Sequence, residues 1–308
     1  MACVIALDIG GTSVKAGLVS ESGTLFERAR FEVQEDGLTG AVRTAARVMA
    51  LRARQTGAAP CGVAAAATGQ IDSRCGQVVG TNGAIAGWEG VHLTSLLQQE
   101  TGLARVCVAN DANCAAYLEA TRGAGRGRDE VLLVTLGTGI GGGIVQGGKL
   151  LGGARGLAGE IGHICVDPRG RRCTCGRRGC WERYASVGAL VRDAAAAGGA
   201  AAPRNGKEVF ALEQAGNAAV HAVMERYFDF LALGLANLIH IFNPDAVILG
   251  GGVSAEGERL LGRVRPRLEK SVMPQFLQGL ALCTAAFQND AGLLGAAALF
   301  FGGGMGEK

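Results

Sequence analysis

Residues 136–150 read LGTGIGGGIVQGGKL, and the kind of phosphate loop that this stretch forms decides the fold. Its glycines satisfy the G-x-G-x-x-G pattern of dinucleotide-binding folds, and Gly148-Lys149 nearly completes a P-loop. Both patterns require a helix directly after the glycines, because the helix N-terminus binds the phosphate. Here the following residues are mostly glycine or β-branched, and Leu150 stands where a P-loop needs a hydroxyl. The stretch therefore predicts a strand hairpin in which Lys149 is an ordinary hairpin residue.

A similar hairpin lies near the start of the chain. Residues 7–12 read LDIGGT and join an apolar strand to an alternating one, as residues 136–142 do later. In both places the residues that follow predict strands interleaved with helices of 3.6-residue periodicity, one of them opened by Asp111. The repeated order indicates an internal duplication of an α/β unit, with a boundary near residues 121–129.

Composition excludes several classes of partner. The chain has 308 residues, of which 48% are hydrophobic, which is enough for one large or two medium domains. A net charge of +3 and 5% aromatic residues do not favour nucleic-acid binding. We find no apolar run of about 18 residues and no signal peptide, so we expect no membrane partner and a cytoplasmic location.

The glycine-rich turns are candidates for binding a nucleotide. Glycines allow successive backbone N–H groups to point into one concavity, which suits an anion, and two such hairpins would hold a triphosphate. Asp8 could orient Mg²⁺ through water, Lys15 could add positive charge, and the third glycine cluster at residues 250–252 could flank the adenosine of ATP. Three ordinary tight turns are the alternative, but their order in the chain favours a nucleotide site. The predicted nucleotide-binding residues are Asp8, Gly10, Gly11, Thr12, Lys15, Gly137, Thr138, Gly139, Gly251 and Gly252.

The segment VANDANCAA places Asn110 and Asp111 at a strand-to-helix junction. Asp111 could be a helix N-cap, which is a common role for aspartate there, or a general base that accepts a hydroxyl proton during phosphoryl transfer. Further along, Glu160 and His163 are three residues apart and would share a face if their segment is helical. Carboxylates and an amide of this kind suit the vicinal hydroxyls of a sugar.

A cysteine cluster follows in CTCGRRGC, where Cys173, Cys175 and Cys180 have C-x-C-x4-C spacing. Together with His163 they make a Cys3His set, which predicts a tetrahedral zinc site. Four protein ligands leave no position for water, so the zinc is expected to be structural and to aim the other ring nitrogen of His163 at the substrate. Cys165 is a rival ligand, and incidental cysteines are the alternative to a metal site.

Six motifs, in order over nearly the whole chain, resemble those of the ROK family of sugar kinases and repressors. They are DIGGT, NDAN, LGTGIGGG, GEIGH, CTCGRRGCWERYAS and DAGLLGAAAL. The resemblance implies an α/β fold of two similar actin-like (ribonuclease-H-like) domains around a central cleft. The expected domains are residues 1–120, joined by a C-terminal helix at about 291–303, and residues 121–290, which carry the zinc loop.

The same resemblance implies an activity. ROK sugar kinases transfer the γ-phosphate of ATP to a sugar hydroxyl, so we expect phosphorylation of the 6-hydroxyl of a hexose, glucose or N-acetylmannosamine, with Asp111 as the base. A homodimer or homotetramer is also implied. The segment GTNGAIAGW departs from the Pro-Asn stretch that is more usual in the family. The sugar-binding residues carried over are Gly69, Asn82, Asn110, Asp111, Glu160, His163 and Glu182.

Two other functions compete with the kinase. ROK repressors resemble the kinases but carry an additional N-terminal helix-turn-helix domain, and here the first hairpin falls within the first dozen residues. We also see no basic recognition helix, so a sugar-responsive regulator is disfavoured. A nucleotide-dependent scaffold of the actin type would leave the sugar and zinc motifs unexplained.

Overall fold

The computed structural model describes residues 2–81, 85–197 and 202–303, and within these ranges no helix is long and apolar enough to span a membrane. The chain forms two compact units, each made of more than one segment. Unit 1 comprises Met1–Arg122, Gly143–Gly159 and Asn289–Lys308. Unit 2 comprises Gly123–Gly142 and Glu160–Gln288.

Strands and helices alternate along most of the chain. The strands are β1 (Cys3–Ile9), β2 (Ser13–Ser20), β3 (Leu25–Glu32), β4 (Pro60–Ala67), β5 (Gln70–Asp72), β6 (Gln77–Gly80), β7 (Val106–Asn110), β8 (Glu130–Leu136), β9 (Ile140–Gln146), β10 (Lys149–Leu150), β11 (Ala246–Gly250) and β12 (Ala281–Thr284). The α-helices are α1 (Gly37–Thr56), α2 (Leu93–Thr101), α3 (Asp111–Arg122), α4 (Glu182–Ala185), α5 (Val187–Ala197), α6 (Gly206–Gln214), α7 (Ala218–Phe242), α8 (Glu258–Ser271), α9 (Pro274–Leu277) and α10 (Ala291–Gly302). Short 3₁₀ helices cover Ile161–His163 and Gly252–Glu256.

The two large sheets have the same strand order relative to the chain. The first runs β3-β2-β1-β4-β7 and the second runs β10-β9-β8-β11-β12. In the first, β1 pairs antiparallel with β2 and parallel with β4, and β4 pairs parallel with β7. In the second, β8 and β12 both pair in parallel with β11. This repetition confirms the predicted α/β fold of two similar halves.

The core of unit 1 lies around β1, β2, β4 and helices α1 and α2. Its side chains are fully or almost fully buried, including Ile5, Leu7, Met49 and Trp88. The indole Nε1 of Trp88 donates a hydrogen bond of 3.0 Å to the carbonyl oxygen of Thr68, so this core residue also holds the turn that follows β4. Helix α10, from the C-terminal segment, packs on β1, β4 and α3.

In unit 2 the anchor is Trp181, which is fully buried and directly precedes α4. Its Nε1 donates a 2.7 Å hydrogen bond to the carbonyl oxygen of Phe230 in α7. The indole lies on Gly234 of the same helix so closely that a Cβ at position 234 would be 2.0 Å from the ring. Burial of a tryptophan in this notch fixes the point at which the cysteine-rich loop ends.

The structure differs from the sequence-based expectation in three places. The sequence SAEGERLLGRVRPRLEKSV predicts a helix from Ser254, but this segment is a short 3₁₀ helix followed by α8 from Glu258, because Gly257 interrupts it with a φ of 53°. Strand β12 and the β5-β6 hairpin had no strong periodic signal in the sequence. Residues 143–159 group with unit 1, where a Cβ at Gly143 would lie 2.5 Å from the Cβ of Ala116. The predicted domain ranges 1–120 and 121–290 stay a prediction.

The Trp181 notch generates a stability prediction. In an exposed helix, Gly→Ala stabilises by about 0.5–1 kcal/mol, but Gly234→Ala would force the indole out of its site and cost about 1–3 kcal/mol. We expect thermal unfolding, followed by circular dichroism, to show a lower Tm for Gly234→Ala.

The matched control is Gly262→Ala in α8, where no heavy atom of the described residues lies within 4 Å of the added Cβ. That variant should keep or raise the Tm. Equal Tm values for the two variants would contradict the packing described at Trp181.

Candidate active site

Parallel pairing brings three predicted site segments to one edge of the first sheet. In the registers of β1, β4 and β7, Ile9 is opposite Ala67, and Ala67 is opposite Asn110. Their carboxyl ends therefore lie side by side, and the glycine hairpin after β1 is next to the turn at Gly69 and to Asp111. Ligands of α/β sheets bind at such an edge.

Asp8 is the acidic residue of the first hairpin, with its side chain 19% exposed. Lys15 Nζ lies 3.1 Å from Asp8 Oδ2 and donates a second hydrogen bond of 2.8 Å to the carbonyl oxygen of Asn289. The carboxylate also lies against Gly292 in the first turn of α10, where a Cβ would be 2.3 Å from Asp8 Cγ. The Lys15 ammonium and the first turn of α10 therefore both lie against the Asp8 carboxylate.

Asn110 and Asp111 lie where β7 meets α3, the junction at which the sequence left open whether Asp111 is a helix cap or a general base. Asn110 Oδ1 accepts hydrogen bonds from the backbone N–H groups of Ala112 and Asn113, so Asn110 caps helix α3. Its Nδ2 donates to the carbonyl oxygen of Gly69 at 3.0 Å. Asp111 is the first residue of the helix, and its Oδ1 also accepts from the N–H of Ala112, at 2.8 Å. The cap is thus shared between Asn110 and the residue predicted to be the base.

Gly69 is the residue that makes the turn after β4 possible. Its φ is +97°, and a Cβ would lie 2.9 Å from the carbonyl oxygen of Gly80, so a side chain there would be strained as well as crowded. The predicted sugar-binding residue Asn82 lies outside the described residues.

In unit 2 the second glycine hairpin joins β8 to β9. The N–H of Gly137 bonds to the carbonyl oxygen of Gly139 at 3.0 Å, and the N–H of Gly188 in α5 bonds to the carbonyl oxygen of Gly137 at 3.1 Å. The third glycine cluster is adjacent, because a Cβ at Gly251 would lie 2.2 Å from the carbonyl oxygen of Leu136. The hairpin and this cluster therefore form one glycine-lined edge of the second sheet. No helix follows Gly139 directly, which agrees with the rejection of both phosphate-loop templates.

Glu182 connects that hairpin to the cysteine cluster. A Cβ at Gly139 would lie 2.6 Å from Glu182 Oε2, and Cys173 Sγ donates to Glu182 Oε1 at 3.1 Å. Its side chain is 16% exposed, so it is not the solvated first-turn residue that helix position alone would suggest. Glu182 takes this place because it is the residue after the buried Trp181.

Glu160 and His163 lie beside Glu182. The 3₁₀ helix over Ile161–His163 brings His163 Nε2 to 3.9 Å from Glu160 Oε2. The other ring nitrogen, Nδ1, is 3.9 Å from Glu182 Oε1 and 3.7 Å from Cys173 Sγ. His163 thus turns Nδ1 to Cys173 and Nε2 to the Glu160 carboxylate, and the orientation of Nε2 toward a substrate stays a prediction.

The four predicted zinc ligands converge in the structure. One ligand atom from each of His163, Cys173, Cys175 and Cys180 lies within 4.8 Å of the other three. The sulfurs of Cys175 and Cys180 are 3.5 Å apart. A tetrahedral zinc with Zn–S bonds of about 2.3 Å holds its sulfur ligands about 3.8 Å apart, so this donor set fits zinc in both chemistry and size.

The thiols of this cluster differ in acidity. Burial raises the pKa of Cys180 to about 12, and its hydrogen bond with Cys175 acts in the same direction. For Cys175, burial also raises the pKa, but the backbone N–H of Arg177 and the hydrogen bond with Cys180 outweigh it and lower the pKa to about 6. Cys175 is therefore the most acidic thiol of the cluster.

Sequence reasoning missed the residues that hold the site rather than form it. Trp181, Gly188 and Gly292 position Glu182, the second hairpin and Asp8, and none has a local pattern that marks this role. The only signal for Trp181 is its place between the last cysteine and Glu182.

A sequence model of the ROK family matches residues 4–302. The chain belongs to the ROK family. Among its relatives, the glucokinase of Thermotoga maritima is 36% identical over 309 residues, a match that covers 96% of each protein. The N-acetylmannosamine kinase of Citrobacter koseri is 38% identical over 297 residues, covering 96% of this chain and 97% of the relative.

Solved structures of this family share the fold. The ROK glucokinase of Streptomyces griseus, crystallised with glucose and AMPPNP, is 34% identical, with a TM-score of 0.82, and the match covers 96% of this chain and 98% of that one. The family that the six motifs indicated is thereby confirmed.

The cysteine cluster generates a prediction about metal content. We expect the purified parent protein to hold about one zinc per chain, and Cys175→Ser, which lacks one of the four predicted ligands, to lose it. Elemental analysis after dialysis measures this content, and thermal unfolding should show a lower Tm for the metal-depleted variant.

Cys165→Ser is the control, because the ligand atoms that converge belong to the other four residues. It should retain zinc. Equal loss from both variants would show that the rival ligand Cys165 takes part.

Proposed function

We propose that the protein is an ATP-dependent hexose kinase that transfers the γ-phosphate to the 6-hydroxyl of glucose or N-acetylmannosamine. The observation that carries this proposal is the sheet edge of unit 1, where a glycine hairpin with an acidic residue adjoins a carboxylate at a helix N-terminus. Phosphoryl transfer needs such a pairing, because the phosphates must be held while a base receives the proton of the attacking hydroxyl. The names of the kinase relatives agree with it.

The assigned roles follow from the chemistry of each residue. Asp111 would accept the proton of the sugar hydroxyl from its place at the N-terminus of α3. Glu160, His163 and Glu182 would accept or share hydrogen bonds with the other hydroxyls. Asn110 uses its amide oxygen to cap α3, so its remaining contribution to the sugar would be through Nδ2.

Each glycine hairpin would bind phosphate groups of ATP through its backbone N–H groups, and the Gly251-Gly252 cluster would contact the adenosine. A bound ATP analogue in the Streptomyces griseus relative supports nucleotide binding here. Asp8 is a hard oxygen donor and could hold Mg²⁺ through water, and that ion supplies neutralisation of phosphate charge when it is bound. Zinc on the cysteine cluster would be structural and would keep Glu182 and His163 in place.

Two further predictions belong to the same proposal. A cytoplasmic location, expected from the sequence, and a homodimer or homotetramer, implied by the family resemblance, stay predictions. The sugar-responsive transcriptional regulator considered from the sequence is not favoured, since full-length relatives of this chain are named as kinases.

A panel of sugars tests the activity. We expect ADP release from Mg·ATP with glucose or N-acetylmannosamine, and the product should carry its phosphate on the 6-oxygen by NMR. N-acetylglucosamine, mannose and fructose complete the panel. No turnover with any of these sugars would contradict the proposal.

Replacing the base separates catalysis from binding. Asp111→Asn keeps the size and the polarity of the side chain but cannot accept the hydroxyl proton, so kcat should fall by about 10²–10⁴-fold. Sugar affinity, measured by calorimetry, should change by no more than a few-fold.

The control is Asp129→Asn, at an exposed carboxylate with no assigned role. It should turn over at the parent rate. Near-parent kcat in Asp111→Asn would refute the assignment of the base.

A further inference from the structure

A fifth cysteine lies directly across from one of the zinc ligands. Cys165 and Cys180 form an isolated antiparallel bridge. The N–H after each cysteine donates to the carbonyl oxygen before the other, at 2.8 Å and 2.9 Å. The two cysteines are therefore a non-hydrogen-bonded antiparallel pair, in which the Cα atoms are about 4.5 Å apart and the side chains share one face.

That spacing suits a covalent bond between the two sulfurs. Disulfides join cysteines whose Cα atoms are about 4.4–6.8 Å apart, so no backbone movement is required. Both cysteines are free thiols here, one exposed and the other only 1% exposed. Gly179 makes room for the exposed sulfur, since a Cβ at 179 would lie 3.1 Å from Cys165 Sγ.

The pair differs from the metal cluster in access. Cys180 shares the cluster with three other ligands and is shielded from solvent, whereas Cys165 is outside that set and reaches solvent. Cys165 is the exposed cysteine of this loop, Cys175 is only partly accessible, and the cross-strand partner of Cys165 is Cys180.

We propose that Cys165 and Cys180 form a reversible disulfide when the protein meets a peroxide, and that this bond removes Cys180 from the zinc. The sulfur of Cys165 attacks one peroxide oxygen, the O–O bond breaks, and a sulfenic acid and one water form from hydrogen peroxide. The sulfur of Cys180 then attacks the sulfenic sulfur, and the second oxygen leaves as water. Two thiols are oxidised to one disulfide, and one peroxide is reduced to two waters.

The consequence concerns the loop rather than the phosphoryl transfer itself. A sulfur in a disulfide is not a thiolate ligand, so the site keeps three ligands and its affinity for zinc falls. A thiol reductant reverses the bond and restores the fourth ligand. The proposal does not rest on the kinase assignment.

Peptide mapping tests the pairing, because trypsin separates the cysteines of the loop. Residues 156–169 contain Cys165, residues 173–177 contain Cys173 and Cys175, and residues 179–183 contain Cys180. Zinc-loaded protein is treated with hydrogen peroxide and alkylated, and its peptides are analysed without reduction. We expect the peptides 156–169 and 179–183 to be linked, with a mass two hydrogens below the sum of the two separate peptides. The link should disappear on reduction.

Zinc release, followed with a chromophoric indicator and without sugar or ATP, is the second readout. Cys165→Ser should release zinc about tenfold more slowly under peroxide, because the accessible thiol is gone. Cys75→Ser, at an exposed cysteine of unit 1, is the matched control and should behave as the parent protein.

Two results would overturn the proposal. One is a link within or to the 173–177 peptide in place of the expected pair, since the sulfurs of Cys175 and Cys180 are also close, at 3.5 Å. The other is equal zinc release from Cys165→Ser and the parent protein.

Discussion

In each sheet, the strand that enters the glycine hairpin also pairs in parallel with a strand reached through a helix, and the candidate site depends on this pairing. Parallel strands end at the same edge, so the hairpin after β1 lies beside the turns after β4 and β7. The hairpin after β8 lies beside the glycine cluster after β11 for the same reason. The pairing of the strands thus places residues about 100 positions apart in the chain next to each other.

The cysteine-rich loop is held in its conformation by other means than strand pairing. Between Ile164 and Trp181 the backbone has only isolated bridges and turns, so regular hydrogen bonding gives this loop little rigidity. The loop is fixed instead by the buried indole of Trp181 at its end and by the four converging side chains of the cysteine cluster. Both supports reach Glu182, which is why a carboxylate on a helix of four residues can have a defined position.

Much of the fold was predictable because its signals are local. Glycines flanked by β-branched residues mark the hairpins, and the second copy of the order revealed the duplication. Strand β12 was missed because its four residues are all half-buried and show no alternation. Position 110 shows the limit at the site, since the sequence identified the strand-to-helix junction and offered Asp111 as a cap, but did not indicate that Asn110 also accepts from two N–H groups of the helix. The contacts of Gly234 and Gly292 depend on which distant side chain lies above them, and no local rule encodes that.

Cys180, Trp181 and Glu182 are consecutive, yet they belong to a metal cluster, a hydrophobic anchor and a hydrogen-bonded acid group. Because these three residues are consecutive, we expect few substitutions to be tolerated in this segment. Replacing Glu182, a proposed sugar-binding residue, would also remove the hydrogen-bond partner of Cys173, and a smaller residue at 181 would loosen the cysteine before it and the acid after it. We therefore expect variation in substrate choice to fall on other members of the proposed sugar-binding set rather than on these three positions, where one substitution disturbs three sets of contacts together.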